Sequence, residues 1–576
     1  MNERARTASF RGQGSWREFS RYVVARILAL TLSTILVVGE VLAAIPDVCG
    51  SGVGSAGYCP GRDADRDSWF VDGAGPNSGT DCDDNDRQMY PGVWKKVTST
   101  TVKQCQSNGT YGATINLSAI TCNSGSGQVY FFGSTGNNAN VGSYNFPWRD
   151  YQGFSNPGVA GYHPPAPGDC FVALDSGPYN STWSSRQLYL NNKDGTSSDK
   201  ITIIGFGAEI TGQGTAGTPI NPIDINGSDY VVIDGLGITG GFSTGAFSIT
   251  ASQNVEVRNS VVHNVDGDHS ANPSCFRVNE LSNNTYLHHN VGYDCYDVDG
   301  SAGDQQNNRL VTWWESVGGR FEDNVLYFSN SVSTSDAGPC IWQKHSEATT
   351  GGDWTVKRNI LENCNITAIA TSGGSFLIDG NMIVNVQSEG YAFEVRDLGQ
   401  TPPVYFGSSP HSFINNTVVD GSFINTGFTG LTNSGTVTFS GNVISDDRPS
   451  YATDTAFLRL DHYSSNASFT TWITGALLSF SNNCYWNSST GTLNYDIWGD
   501  VPSGASGSIS TTLSGWKTAI GSDSGTFNES PAFNSAYIAT STNCAGKGAF
   551  YQGSLASTLS MAFGGGALGS LSRRSQ

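Results

Sequence analysis

Tyr286-Leu-His-His-Asn290-Val, Arg320-Phe-Glu-Asp-Asn324-Val-Leu and Thr355-Val-Lys-Arg-Asn359-Ile-Leu are three copies of one short phrase: a strand-like run, an Asn and a second strand-like run. The phrase recurs around Asn259 (Val255-Glu-Val-Arg-Asn259-Ser-Val-Val), Asn381, Asn416, Asn442 and Asn483. Its spacings are 31, 34, 35, 22, 35, 26 and 41 residues. A unit near the low twenties with irregular insertions reads as a solenoid whose loops vary in length. A strand–turn–strand unit cannot bury its apolar side alone, whereas stacked copies can. Parallel stacking brings equivalent residues to about 4.8 Å, so an Asn at the same bend of each coil can hydrogen-bond along the axis. Asn also tolerates the left-handed backbone of a sharp bend. The fold class expected is all-β, a right-handed parallel β-helix with an Asn ladder of eight.

Composition agrees. The 576 residues include 71 Gly, 13 Trp, 23 Tyr and 28 Phe, and 14% are charged. The aromatic content argues against disorder over most of the chain. The abundance of Gly, Asn, Ser and Thr argues against long helices. With 30 basic and 49 acidic residues, the net charge of −19 argues against a nucleic-acid partner.

Six Arg precede an apolar stretch, Ile27 to Val38, and Ala43 and Ala44 follow it. These are the parts of a secretory signal over 1–44. The apolar run is shorter than the ~20 residues of a spanning helix, so no membrane span is expected after its removal. The mature chain, having lost 6 Arg and 3 Glu, would carry −22. Twelve Cys fit an exported protein with disulfides. Beyond the signal, the organisation expected is an acidic module at 45–95, a lead-in at 96–164, the β-helix at 165–490, and a C-terminal cap with a frayed tail at 491–576.

In the acidic module, Asp63-Ala-Asp65-Arg-Asp67 is followed by Asp72, then Asp81-Cys-Asp83-Asp84-Asn85-Asp86 and Tyr90-Pro-Gly92. Alternating carboxylates on a tight loop supply the hard oxygen ligands Ca²⁺ requires. The pattern resembles the DxDxD…DCDDxD…YPG metal-binding motif of many exported bacterial proteins, akin to thrombospondin type 3 repeats. That resemblance implies Ca²⁺ held by Asp63, Asp65, Asp67, Asp72, Asp81, Asp83 and Asp86, and a secreted or cell-surface bacterial protein.

Pro167-Gly-Asp-Cys-Phe-Val-Ala-Leu-Asp-Ser-Gly-Pro-Tyr179 leads to Asp194-Gly-Thr-Ser-Ser-Asp-Lys-Ile-Thr-Ile-Ile-Gly205 and Ser228-Asp-Tyr-Val-Val-Ile-Asp-Gly-Leu236. With the Asn repeats, this order resembles polysaccharide lyases of the alginate lyase and chondroitinase B type, over roughly residues 165–490. The resemblance implies proton abstraction beside a uronate carboxylate followed by β-elimination, with a Lys base and an Arg neutralising the carboxylate. Lys344, in Cys340-Ile-Trp-Gln-Lys-His345, matches the family's Lys strand. Ala368-Ile-Ala-Thr-Ser-Gly373 has no Arg where the family has one a coil later, and the family's calcium-holding Glu pair is missing.

Aligning coils on their apolar positions gives a column of Asn279, Trp313, Lys344, Ser372 and Arg396, with Glu280, Trp314, His345 and Asp397 in the next. The candidate catalytic residues are therefore Lys344, Arg396 and His345. Trp313, Trp314, Glu280 and Asp397 are the candidate substrate contacts. A second cluster sets His263, Asp266, Asp268 and His269 against His288, His289, Asp294, Asp297 and Asp299, residue types that suit a glycosidase, a Ca²⁺ site or ordinary surface bends. Cys275 and Cys340 share a column, as do Cys295 and Cys364; at about two rungs' separation they would not bridge, which points to buried thiols. The expected partner is an extracellular polysaccharide, bound and cleaved by β-elimination. The alternative is a non-catalytic surface protein or adhesin, which the acidic net charge favours over a polyanion-cleaving enzyme.

Overall fold

The computed structural model describes residue 82 and residues 93–549, apart from 109, 122–126, 184–185, 216–217, 242, 268–272, 298–307, 330–331, 333–336, 345–352, 372–374, 397–410, 429–436, 447–457, 463–477, 488–494, 500–506, 511, 521–522 and 534–538. For some strand residues, Lys344 and Arg396 among them, the backbone alone is described. The export segment, the seven Asp of the acidic module, His345 and Asp397 lie outside the described residues. The chain divides into two compact units, Met1–Cys59 and Pro60–Gln576, and the account below concerns the second.

From Phe247 onward the coils place separate strands on three faces, whereas Ile201–Thr211 and Val231–Thr239 each run unbroken through the second and the third. A long face of 12 strands contains, in spatial order, Leu188–Asn191, Ile223–Asn226, Phe247–Thr250, Ser274–Asn279, Arg309–Trp314, Ile341–Lys344, Asn365–Thr371 and Gln387–Arg396, then four more. The second face runs through Glu256–Arg258, Tyr286–His288, Arg320–Glu322 and Asp353–Lys357. The third runs through Val261–Asp266, Val291–Tyr296, Val325–Tyr327, Ile360–Glu362 and Met382–Val384. The coil-to-coil pairings in these stretches are parallel, and the architecture is the right-handed parallel β-helix expected.

Strand alternation explains the core. Ile225, Ile249, Val278, Val311 and Ile341 point inward from the long face, Val257, Leu287, Phe321 and Val356 from the second, and Val262, Leu326 and Leu361 from the third; all are buried together. Inward rings stack along the axis, Phe413–Phe439 at 4.9 Å and Phe439–Phe480 at 4.6 Å, close to the rung spacing. Trp516, on the helix Leu513–Ile520, closes this stack edge-on. At the other end Trp148, Tyr151 and Phe154 cover Phe132 and Phe171. Parallel pairing starts before residue 165: Val129–Phe132 pairs with Cys170–Ala173. The lead-in also holds a small antiparallel sheet of Trp94–Thr98, Thr101–Gln104 and Ile115–Asn116.

The bend between the second and third faces carries the ladder. From Asn290 through Asn324, Asn359, Asn381, Asn416 and Asn442 to Asn483, each side-chain N–H donates to the Oδ1 of the next Asn at 3.0–3.1 Å. Each also donates to a carbonyl of the preceding coil, as Asn359 does to Phe321 O at 2.9 Å. The ladder has seven Asn rather than eight. Asn259 sits one position early, at a left-handed corner (φ 52°), and Ser260 takes the ladder place, donating its N–H to Asn290 Oδ1. The corner recurs at His289, Asp323, Arg358, Gly380 and Asn415. For a non-Gly residue that conformation costs roughly 1–2 kcal/mol; the buried amide bonds beside it, each worth about 0.5–1.5 kcal/mol net, offset the strain.

A second, shorter ladder lies at the bend between the long and second faces. Ser228, Ser252 and Ser282 donate their N–H groups to the hydroxyls of Ser252, Ser282 and Ser316. The Cys reading needs correction. Cys275 bonds Cys295 and Cys340 bonds Cys364, each pair within a coil at Cα separations of 5.4 and 5.3 Å, so these residues are disulfides and not thiols. Cys82–Cys105 and Cys484–Cys544 bring the disulfides between described residues to four, which fits an oxidising, extracytoplasmic compartment. Among the described residues no helix is long and apolar enough to cross a membrane.

Candidate functional site

On the long face every second side chain points away from the core. The register Asp224↔Ser248↔Arg277↔Thr312↔Trp342↔Ala370↔Glu394 stacks these residues in one outward column. It is not a solvated surface: Thr312, Trp342 and Glu394 are 0%, 3% and 5% exposed. The buried guanidinium of Arg309 lies 4.0 Å from the Trp342 ring centroid, a cation–π contact. Arg277 reaches the Thr244 carbonyl at 3.4 Å. Farther along, Arg186 lies 3.7 Å over the Tyr189 ring. Burial pushes the Asp224 carboxyl up to about 6, against the pull of Arg186 and a hydrogen bond from Ser248. Cations, carboxyls and aromatic rings thus meet on one elongated, water-poor face.

Trp314 pairs with Lys344 in the adjoining outward column. Gln343 pairs with Thr371 and Thr371 with Val395, so Lys344 and Arg396, each one residue farther on, share a register position two rungs apart. That is a separation of about 10 Å between strands. Two expectations shift by one residue. Trp313 pairs with Gln343, not Lys344, and lies in the core with its ring edge-on to Trp354, leaving no surface for a sugar. Trp314, set beside His345 by the sequence alignment, belongs instead to the Lys344 column and is half-buried. The tandem Trp gives no pattern that tells inward from outward. Glu280 occupies a left-handed corner (φ 46°) after the Ser274–Asn279 strand, exposed and near enough to Arg277 to favour its charge.

The second cluster separates. His263 is on the third face, stacked on Tyr293 at 5.0 Å, whereas His288 is on the second. His288 and His289 bond each other at 2.7 Å, both buried. Asp294 accepts the Ser329 N–H, Asp266 the Gly267 N–H, and the Asp297 N–H meets Asn308. Asp268, His269 and Asp299 lie outside the described residues. Around His288, sequence reasoning missed a network of ions. Arg258 bridges Glu256 and Asp234, Lys200 reaches Glu256, and Arg320 and Arg358 hold Glu322 and Asp323. Against its burial, Arg258, His288 and Lys200 hold the Glu256 carboxyl well below the usual range. Such mutually satisfied ions fix the second face. Among the described residues no group of three or more His, Cys, Asp or Glu is arranged to hold a metal ion.

No family model matches the chain, and no curated protein is similar to it. Solved structures with some likeness include the catalytic unit of a thermostable GH87 α-1,3-glucanase from Streptomyces thermodiastaticus strain HF3-3, at TM-score 0.36 and 11% identity over 63% of this chain and 64% of that one. A rhamnogalacturonan lyase gives TM-score 0.28 and 12% identity over 55% of this chain and 87% of the other. Pectate lyase Pel9A gives 0.29 and 10% over 67% and 80%. The chain thus spans a little under two thirds of the glucanase unit's length.

Proposed function

We propose that this protein binds an extracellular polysaccharide along the outward side of the long face and cleaves it by β-elimination at a uronate. The observation carrying the reading is the register that sets Lys344 and Arg396 in one column two rungs apart, beside the column of Arg277, Trp342 and Glu394. In this reading Arg396 neutralises the uronate carboxylate, which acidifies the neighbouring C5–H. The neutral amine of Lys344 takes that proton, the electron pair forms the C4–C5 double bond, and the C4–O bond breaks. The departing oxygen then takes a proton from the Lys344 ammonium, so the base returns to its starting state. His345, Trp314, Glu280 and Asp397 would line the chain-binding groove. Ca²⁺, held by the seven Asp of the N-terminal module, would serve a structural role there; calorimetric titration of the full chain with Ca²⁺ and with an Asp81→Asn/Asp83→Asn variant tests this.

The test of the main reading is ultraviolet absorbance of unsaturated product on a panel of uronic-acid polymers. Signal from the wild type and none from Lys344→Ala supports elimination. Glycan retention without product on any polymer supports the second reading, an adhesin. The net charge of −19 favours that second reading, since it repels a polyanion.

A further inference from the structure

The third face has an apolar outer side. Val261↔Val291↔Val325↔Ile360↔Met382 form one outward column, continued by Thr417 and Val443. This strip is an apolar cluster separate from the core, and Ile360 and Met382 are as buried as core residues. A sheet face turned from the core yet closed to water needs a cover. Of the described residues in the cluster, Ala549 alone comes from outside the third face.

The chain leading to Ala549 advances toward the N-terminal coils. Cys544 is bonded to Cys484; the Gly548 N–H then donates to Gly441 O at 2.6 Å, one rung back, and the Ala549 N–H to Thr417 Oγ1 at 2.8 Å, a further rung back. At Gly548 (φ 79°) a Cβ would stand 2.4 Å from Thr417 Oγ1, so only glycine lets the backbone lie this close. The next position on that track is Met382. After Ala549 come 27 residues, with Tyr551, Leu555, Leu559 and Phe563 at every fourth position. From Thr417 to Val291 is four rungs, about 19 Å. Residues 550–563 span that even at the helical rise of about 1.5 Å per residue.

We propose that the C-terminal segment 550–576 is a strap that runs back along the outer side of the third face and seals it. The strap ties the later coils to the earlier ones from outside, clear of the long face. A second copy of the chain on this strip is the competing occupant.

The chain has four Met, of which Met382 lies on the strip and Met561 in the segment, so photo-methionine labels both with little change of shape. Irradiation of the full-length exported protein, followed by cleavage at Lys and Arg, should join the peptide 359–396 to the peptide 548–573 in the monomer band. Leu559→Asp should lower that cross-link at least tenfold while the β-sheet circular dichroism is unchanged. A cross-link in a band of doubled mass, a cross-link from Met382 to another segment, none at all, or one undiminished in Leu559→Asp overturns the strap.

Discussion

The outer sides of the long face and the third face use the same strand alternation for opposite ends. Both back onto one core, and their inward residues are interchangeable in kind: Ile, Val, Leu and Phe. Outward, the long face carries Asp224, Arg277, Trp342 and Glu394, whereas the third carries Val291, Val325, Ile360 and Met382. In a solenoid the inward positions specify that coils stack. The outward positions are released from that duty, and in the readings proposed above one side meets a glycan and the other the chain's own apolar covering.

Breaking the long side should have the largest effect. Removing a general base costs roughly 10²–10⁴-fold in rate, so Lys344→Ala should lose that much turnover while melting as the wild type does, measured by product absorbance and calorimetry. The ladder between the two sides comes next. Asn359→Ala takes the acceptor from the buried Asn324 N–H and side-chain amide and the side-chain donor from Phe321 O, while Asn381 Oδ1 keeps only the Asn359 backbone N–H. At about 1–3 kcal/mol per unsatisfied group, a loss of about 3 kcal/mol or more is expected in denaturant unfolding. Trp342→Ala removes the buried ring under Arg309 and should lower stability by about 2 kcal/mol, the worth of a desolvated cation–π contact. Denaturant unfolding reads it.

The smallest effect sharpens the contrast. Glu362 lies on the third face beside Tyr327 in the apolar surroundings, and burial pushes its carboxyl up to about 7. A raised carboxyl binds its proton more tightly folded than unfolded. Its contribution is therefore complete below about 4.5 and lost as pH rises through about 7. Glu362→Gln should flatten the melting temperature over that window. His411 has the opposite sign: burial lowers it to about 4, so its contribution is present above about 6.5 and lost as pH falls through 4.

The Asn phrase made the coil legible because a ladder demands one residue type at one place, and seven of its eight positions stand as read. Asn259 misled because the left-handed corner favours Asn as well. The serine ladder stayed hidden: Ser is frequent throughout the chain, and its hydroxyl bonds leave no spacing signal. The Trp313–Trp314 register was missed because both residues are apolar, and only strand pairing tells which faces the core. Disulfides were expected, but the pairs Cys275–Cys295 and Cys340–Cys364 were missed because the column argument compared Cys across coils, while the bonds close within them. The ion network around Glu256 and Glu322 draws on residues far apart in the chain, from Lys200 to Arg358, with charges that look like solvated surface in the text.

The most direct test of the long-face claim is a double-mutant cycle on Lys344→Ala and Arg396→Ala, read as the rate of unsaturated product from a uronate polymer. If both groups act on one bound sugar, the double variant should be little slower than the slower single. Losses that multiply independently, or a wild type that forms no unsaturated product, would contradict the account.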